Sequence, residues 1–349
     1  MTPSPFRVSL TADFFDEAGQ TKYQDIGLGL FDGDRRFSVG RFDEHHAEIN
    51  SQQLSGVNGV VVLTPRVTDR SLSLSSDLLV VARFGVGFDS VDVAACTARD
   101  VLLCIATGAV DRPVAEATVG WMLALTHHVL TKDRLVRQSR WGDRSQYMGC
   151  ELRERTLGVI GFGGIGRALV KLLSGFGMNP PLVYDPYTTA ATVQEHGATL
   201  VGLDELLARA DFVSIHCPLS EQTRHLIGDR ELSLMKPTAY LINTARGGIV
   251  EEEALLKALN SRSIAGAALD CFVDEPLTSA TIFAECENVV LAPHCIAWTN
   301  EMFRDIGRTA CQSMIDLAAG VTPKGIVNPE VLNRPGFREK WSRIQHRMT

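Results

Sequence analysis

The chain has 349 residues, of which 45% are hydrophobic, with 34 lysines and arginines against 41 aspartates and glutamates. This length favours two domains over one core. The net charge of −7 and the lack of a basic run argue against nucleic acid as a partner. No apolar stretch approaches the ~18 residues of a membrane span, and no signal-peptide pattern opens the chain. We therefore expect a cytoplasmic protein without membrane association.

Apolar runs at 57–63, 78–82 and 101–105 predict the first strands. A long amphipathic stretch from Val114 to about Arg140 follows. It predicts one helix that links two α/β domains, and Pro113 suits its first turn.

Further strands and helices alternate after this stretch, which predicts parallel sheets. The predicted helices include 203–209 and 252–259, and a helical pattern returns after about residue 298. The predicted strands are 157–160, 182–184, 212–216, 239–243, 265–268 and 289–291.

The predicted fold class is α/β, with two Rossmann-like, doubly wound parallel-sheet domains and an active-site cleft between them. We place a dinucleotide-binding domain at 109–299 and a discontinuous substrate domain at 1–108 and 300–349. The polar, basic tail 334–349 is expected to be a surface extension. The stretch 26–34, IGLGLFDGD, has no interpretation from sequence.

A glycine-rich turn follows the strand at 157–160, with the sequence Gly161-Phe162-Gly163-Gly164-Ile165-Gly166. A helix and a second strand follow, and that strand ends at Asp185. This order is the dinucleotide-binding fingerprint, in which the helix N-terminus receives the pyrophosphate. Asp185 would accept the ribose hydroxyls. Because no arginine lies in 186–189 to bind a 2′-phosphate, the sequence favours NAD over NADP.

Three polar side chains lie just past the ends of later predicted strands: Arg246, Glu275 and His294. Ligands of open α/β sheets bind at this edge. An arginine can hold a carboxylate or oxo oxygen with two hydrogen bonds, and a histidine can exchange a hydroxyl proton. A glutamate on the other imidazole nitrogen would fix the tautomer. The pattern predicts an oxidoreductase of hydroxyl and carbonyl groups.

Metal binding is not expected. The eight cysteines include no CxxC pair, so reduced thiols are the simplest interpretation. Neither Cys295 with Cys271 nor the pair His127-His128, which we place within the long helix, has the spacing of a zinc site.

From about Val80 to Pro329 the chain resembles the D-isomer-specific 2-hydroxyacid dehydrogenases, whose members include phosphoglycerate and glyoxylate/hydroxypyruvate dehydrogenases. Residues 1 to about 60 match only loosely. The motifs that carry the resemblance are ARFGVGFDSVD (82–92), VAEATVGWMLAL (114–125), GCELRERTLGVIGFGGIG (149–166), FVSIHCPLSEQTRHLI (212–227), INTARGGIVEEEALLKAL (242–259), ALDCFVDEP (268–276) and APHCIAW (292–298).

The resemblance implies that NAD serves the interconversion of a D-2-hydroxy acid and its 2-oxo acid. Arg246 would be the substrate clamp, His294 with Glu275 the acid/base pair, and the partner subunit a second copy in a homodimer. The implied substrate contacts are Gly85, Val86, Gly87, Arg246, His294 and Trp298. The implied cofactor contacts are Gly161, Phe162, Gly163, Gly164, Ile165, Gly166, Asp185, Cys217, Pro218, Thr223, Thr244, Ala245, Asp270 and Ala297.

Departures from the family pattern concern the substrate pocket. Val110 and Ser90 stand where many relatives have asparagine, and Ile296 stands where a small residue is usual. Together with Trp298 they suggest a partly aromatic or apolar pocket wall. A phosphorylated substrate is not favoured, because Arg66 is the single basic residue in 60–68. The polar-aromatic loop 141–149 would close the pocket or the dimer, or is a plain connector.

Two other functions stay open from the sequence. Relatives of this fold act as NAD(H)-sensing corepressors that bind peptides, and an intact triad does not exclude that role. A dehydrogenase of a non-carboxylate oxyanion such as phosphite is the other alternative. The sequence does not identify the substrate side chain.

Overall fold

The computed structural model describes residues 3–348. The strands are β1 (Phe6–Leu10), β2 (Phe37–Arg41), β3 (Gly59–Val62), β4 (Val80–Arg83), β5 (Leu102–Ile105), β6 (Leu157–Ile160), β7 (Leu182–Tyr184), β8 (Thr199–Leu200), β9 (Phe212–Ile215), β10 (Tyr240–Asn243), β11 (Gly266–Leu269) and β12 (Val289–Leu291). The α-helices are α1 (Val93–Ala98), α2 (Asp111–Thr126), α3 (Val129–Arg137), α4 (Gly164–Leu173), α5 (Ala190–Gln194), α6 (Leu203–Arg209), α7 (Asp229–Leu234), α8 (Glu252–Asn260), α9 (Asn300–Ala318) and α10 (Pro335–Met348).

Short 3-10 helices complete the secondary structure. They lie at Ala12–Phe14, Leu28–Phe31, Ser51–Leu54, Ser71–Leu74, Trp141–Gln146 and Pro329–Asn333. The chain divides into two compact units, of which the first comprises Met1–Val110 with Trp298–Thr349 and the second Asp111–Ala297. Among residues 3–348, no helix has the length and apolar character needed to cross a membrane.

The first unit contains a parallel sheet with the strand order β2-β1-β3-β4-β5. Every residue of β3 is buried, which explains why its apolar run predicted a strand. The sequence did not predict β1 or β2. Burial alternates along β1, and four of the five β2 residues are exposed at the sheet edge, so neither strand forms a continuous apolar run.

The glycine-rich stretch 26–34 packs against α9. Gly27 has φ 81°, and a Cβ atom there would lie 2.4 Å from the backbone nitrogen of Arg308. A Cβ atom on Gly307 would lie 2.0 Å from the carbonyl oxygen of Ile26. Glycine at both positions therefore permits the two backbones to approach closely, which gives this stretch a structural role.

The prediction that 334–349 is a surface extension is wrong. Most of this segment forms α10, and Phe337 and Ile344 are buried. The Lys340 ammonium donates to the carbonyl oxygens of Leu78, Arg99 and Asp100 at 2.9, 3.1 and 2.8 Å. Because the segment contains many charged residues, its sequence does not show the short apolar face or the buried lysine.

Replacing Lys340 by methionine is expected to lower the free energy of unfolding of the first unit by about 2–4 kcal/mol, because carbonyl groups lose a buried donor. Urea denaturation measures the change. Lys324→Met, at an exposed lysine of the same unit, is the matched control. Equal transition midpoints for the two variants would show that the Lys340 contacts do not stabilise the fold.

The second unit contains a seven-stranded parallel sheet with the order β12-β11-β10-β9-β6-β7-β8. The strand order reverses between β6 and β9, which is the switch point where open α/β sheets bind ligands. The predicted strands of this unit agree with β6, β7, β9, β10, β11 and β12 to within one residue at each end. The two-residue β8 was not predicted. Together with the parallel sheet of the first unit, these strands confirm the predicted α/β class.

The prediction of one helix from Val114 to Arg140 is wrong. α2 ends at Thr126, and α3 starts at Val129 after His128, which has φ 51°. The Cys150 amide donates to the Thr126 carbonyl oxygen at 3.0 Å. The last carbonyl group of α2 is therefore hydrogen-bonded to a later segment of the chain. His127 and His128 therefore lie at a helix break.

Candidate active site

Arg246, Glu275 and His294 follow the adjacent strands β10, β11 and β12 in the second unit. The His294 Nδ1 and Glu275 Oε2 atoms lie 2.6 Å apart. The Arg246 guanidinium is close enough for its charge to act on the Glu275 carboxylate. The second unit thus brings these three predicted residues to one edge of its sheet.

The Glu275 carboxylate is held at both oxygens. Its Oε1 accepts a hydrogen bond from the Phe272 amide at 2.7 Å, and its Oε2 faces His294. Burial raises the pKa of Glu275, but the hydrogen bonds from His294 and Phe272 and the charges of His294 and Arg246 outweigh burial. The pKa of this carboxyl therefore lies below its ordinary value, and Glu275 is ionised at neutral pH.

The His294 loop is fixed by Asp270. The Asp270 Oδ1 atom accepts hydrogen bonds from the amides of Cys295 and Ile296 at 2.9 and 3.1 Å. Burial raises the pKa of Asp270, and the two amides oppose that rise. His294 has φ 53°, an uncommon conformation for a residue other than glycine. The contacts of Asp270 and Glu275 together fix the backbone and the Nδ1 side of the imidazole.

The loop that carries Arg246 is shaped by Asn243, which sequence reasoning missed. Asn243 is buried at the end of β10. Its side chain accepts from the Ala245 amide at 3.0 Å and donates to the Arg246 carbonyl oxygen at 2.9 Å. The available signal was an asparagine at the end of an apolar strand, three residues before the candidate arginine.

The glycine turn after β6 has the geometry that a dinucleotide requires. Gly161 has φ 93°, and a Cβ atom there would lie 2.7 Å from the Cys217 amide nitrogen. At Gly163, by contrast, a Cβ atom would meet no described atom within 4 Å, which leaves open space before α4. The turn therefore leaves room for a pyrophosphate at the N-terminus of α4.

Two further side chains fit a bound dinucleotide. Asp185, at the end of β7, accepts hydrogen bonds from the amides of Phe162 and Tyr187 at 2.7 and 2.8 Å, which positions its carboxylate beside the glycine turn. The Thr244 Oγ1 atom, directly after β10, is buried and has no hydrogen-bond partner among residues 3–348. A cofactor group can satisfy this atom. These observations fit the predicted NAD site.

Asp111 is a second residue that the sequence analysis missed. A Cβ atom on Gly164 would lie 2.0 Å from its Oδ2 atom, so the carboxylate lies against the first residue of α4. Burial raises the pKa of Asp111. Any side chain at position 164 would therefore require the Asp111 carboxylate or the start of α4 to move.

Gly164→Ala is expected to weaken NAD affinity by about 10–100-fold, because the added methyl group displaces either Asp111 or the N-terminus of α4. Isothermal titration calorimetry with NAD measures the change. Gly175→Ala is the control, since a Cβ atom there meets no described atom within 4 Å. NAD binding that is equally tight in both variants would contradict this role of Gly164.

Three further predicted cofactor contacts, Cys217, Pro218 and Thr223, lie in the loop after β9. The Thr223 hydroxyl donates to the Pro218 carbonyl oxygen at 2.6 Å and accepts from the Ser220 amide at 2.7 Å, which closes the loop. Burial raises the pKa of the Cys217 thiol to about 11, so this thiol is neutral. Ile165 and Gly166 lie in the first turn of α4, and Ala297 is buried after the His294 loop.

The loop Gly85-Val86-Gly87 of the first unit has two backbone amides without an assigned acceptor in the described residues. The Gly85 amide donates to the Arg83 carbonyl oxygen at 2.9 Å. Within residues 3–348, no acceptor is assigned to the amides of Val86 and Gly87. These two amides, rather than that of Gly85, can therefore bind an anion.

The residues that depart from the family pattern differ in environment. Val110 is buried in the first unit, and Ile296 packs on the core of the second. Trp298, in the first unit, is 53% exposed. In the part of the chain that the structure describes, no group of three or more histidines, cysteines, aspartates and glutamates could hold a metal ion.

Comparisons with known proteins identify relatives of this chain. Residues 119–295 match the family model "D-isomer specific 2-hydroxyacid dehydrogenase, NAD binding domain". A glyoxylate reductase of Aeropyrum pernix is 38% identical over 346 residues, which cover 95% of this chain and 99% of the relative. A glyoxylate reductase of Thermococcus litoralis is 36% identical over 280 residues, which cover 78% of this chain and 84% of the relative.

Two solved structures are also similar to this chain. The D-lactate dehydrogenase of Aquifex aeolicus, complexed with NAD and lactic acid, is 26% identical with a TM-score of 0.75, over 90% of this chain and 96% of that one. A protein of Thermus thermophilus is also 26% identical, with a TM-score of 0.78, over 92% of this chain and 99% of that one.

Proposed function

This chain belongs to the D-isomer-specific 2-hydroxyacid dehydrogenase family, and from that membership we propose that it reduces a 2-oxo acid to the D-2-hydroxy acid. It is an NAD-dependent oxidoreductase of the 2-hydroxyacid dehydrogenase class. The observation that carries the proposal is the 2.6 Å contact between His294 and Glu275, at the sheet edge that also presents Arg246.

Arg246 binds the substrate carboxylate and polarises the 2-oxo group. A guanidinium offers parallel donors in one plane, which match two oxygens of a 2-oxo acid. Asn243 positions the loop of Arg246 through the Ala245 amide and the Arg246 carbonyl oxygen.

His294 is the acid that protonates the developing alkoxide. Its Nδ1 atom is engaged by Glu275, which leaves Nε2 for the substrate oxygen. The ionised Glu275 fixes the orientation of the imidazole through this contact. When bound, NADH supplies the hydride for C2, so the hydride and the His294 proton together convert the 2-oxo acid to the 2-hydroxy acid.

The chain also presents a surface suited to a homodimer. Several apolar side chains on α3 and the segment after it are exposed: Val129, Leu130, Val136, Trp141 and Met148. Exposed apolar side chains are common on association surfaces, and we propose that these residues contribute to a dimer interface. Sedimentation velocity is expected to show a dimer, and a monomer at high concentration would contradict this assignment.

The direct test is oxidation of NADH by the purified protein with a panel of 2-oxo acids, followed by absorbance, with NADPH in parallel. Turnover of one class of 2-oxo acid with NADH is expected. Tight NADH binding without turnover of any 2-oxo acid would contradict the proposed reaction.

A further inference from the structure

A cavity of about 360 Å³ opens in the second unit at the amino ends of β6, β9, β10 and β11. The first residues of these four strands are partners in the register of the sheet: Leu157, Phe212, Tyr240 and Gly266. The candidate active site lies past the carboxyl ends of β10, β11 and β12. The cavity is therefore at the opposite edge of the same sheet.

Part of the cavity wall is apolar. Phe212 and Tyr240 face each other on neighbouring strands, and their rings stack with centroids 5.7 Å apart and planes inclined by 15°. Pro237 and Ala265 line the same cavity. Its volume falls within the range of small-molecule sites, roughly 300–1,000 Å³. These side chains can therefore cover the carbon skeleton of a small ligand.

The carboxylate on the cavity wall, Asp211, is engaged at both oxygens. Its Oδ1 atom accepts a hydrogen bond from the Lys236 ammonium at 2.9 Å, and its Oδ2 atom accepts one from the Thr156 amide at 2.8 Å. The negative charge of Asp211 is therefore balanced by Lys236.

Arg155 adds a positive charge to the wall. Its side chain is half-buried, and no hydrogen bond or ion pair is assigned to its guanidinium within residues 3–348. By contrast, Arg153 is exposed and pairs with Glu151 at 2.7 Å. Water screens a half-buried charge less than an exposed one, so the Arg155 guanidinium favours an anion in the cavity.

Two hydroxyl groups, those of Thr238 and Tyr240, belong to residues of the same wall. Burial raises the pKa of Tyr240, so its hydroxyl is protonated at neutral pH and can donate a hydrogen bond. In the part of the chain that the structure describes, no acceptor is assigned to either hydroxyl. The donors of the wall therefore match the oxygens of an anion.

We propose that this cavity is a second ligand site, which binds a small carboxylate with an apolar body. Arg155 donates two parallel hydrogen bonds to the carboxylate, and the Tyr240 hydroxyl donates a third. The apolar body packs against Phe212, Pro237 and Ala265. The site is separate from the proposed reaction and does not depend on it.

Isothermal titration calorimetry of the purified full-length chain with benzoate tests the site, because benzoate joins a carboxylate to an apolar ring. Benzoate is expected to bind with a Kd of roughly 0.1–3 mM. Benzamide has nearly the same shape without the charge, and it should bind at least about 10-fold more weakly. Equal affinities for benzoate and benzamide would overturn the role of Arg155.

Arg155→Met is expected to weaken benzoate binding by about 10–100-fold, and Tyr240→Phe by about 3–10-fold. Arg153→Met is the matched control and should change the affinity by less than about 2-fold, since its guanidinium pairs with Glu151 outside this wall. Circular dichroism and NAD affinity verify the fold of each variant. If Arg155→Met does not fold, Tyr240→Phe and benzamide decide the outcome.

Arg246→Lys separates this cavity from the candidate active site, which also offers a guanidinium to carboxylates. Benzoate bound beside Arg155 should persist in that variant with its affinity unchanged. Binding that is lost in Arg246→Lys and kept in Arg155→Met would place benzoate at the candidate active site and overturn the second site. Absence of binding at roughly 10 mM benzoate would overturn it as well.

Discussion

Replacement of His294 by alanine is expected to lower kcat by about 10²–10⁴-fold while NADH affinity stays at its wild-type value. The imidazole is the acid in the proposed reaction, and its contact with Glu275 leaves Nε2 for the substrate oxygen. The proposed pyrophosphate site lies on the glycine turn and α4, which this substitution does not touch. Steady-state kinetics and NADH titration measure the two quantities separately.

His45→Ala, at an exposed histidine of the first unit, is the matched control and should leave kcat unchanged. Unaltered turnover in His294→Ala would exclude His294 as the acid. Loss of NADH affinity together with kcat would instead assign it a role in cofactor binding.

Arg246→Lys is expected to lower kcat/KM for the 2-oxo acid by about 10²–10³-fold, although the positive charge remains. A lysine ammonium cannot present the planar pair of donors that binds a carboxylate and the adjacent oxo oxygen. The charge near Glu275 is kept, so NADH affinity and stability should change little. Kinetics over a range of 2-oxo acid concentrations measure the effect.

Arg209→Lys is the matched control, because Arg209 pairs with Glu205 on the surface of α6. Wild-type kcat/KM in Arg246→Lys would contradict the clamp. A loss confined to NADH affinity would move Arg246 from the substrate to the cofactor.

The parts of the fold that could be predicted from sequence are those with a continuous pattern. Strands such as β6 and β9 are buried on both faces of a parallel sheet, so they are apolar at nearly every position. β2 lies at a sheet edge and α10 contains an internal lysine, so both read as polar segments. The break after α2 depends on Cys150, which contacts Thr126 only in the folded chain.

The part of the candidate site that could be predicted from sequence is the set of polar side chains that follow predicted strands. Arg246, Glu275 and His294 each follow a strand, and the parallel topology places those strands side by side. Asp111 gains its proposed role from Gly164, a partner distant in sequence. No local pattern marks such residues, because their partners are set by tertiary packing.

The most direct test of the proposed reaction is the configuration of its product. Purified protein, NADH and a reducible 2-oxo acid are incubated, and the 2-hydroxy acid is resolved by chiral chromatography against both enantiomers. The D enantiomer is expected, in an amount equal to the NADH oxidised. The L enantiomer, a racemate, or NADH oxidation without a 2-hydroxy acid would contradict the proposed function.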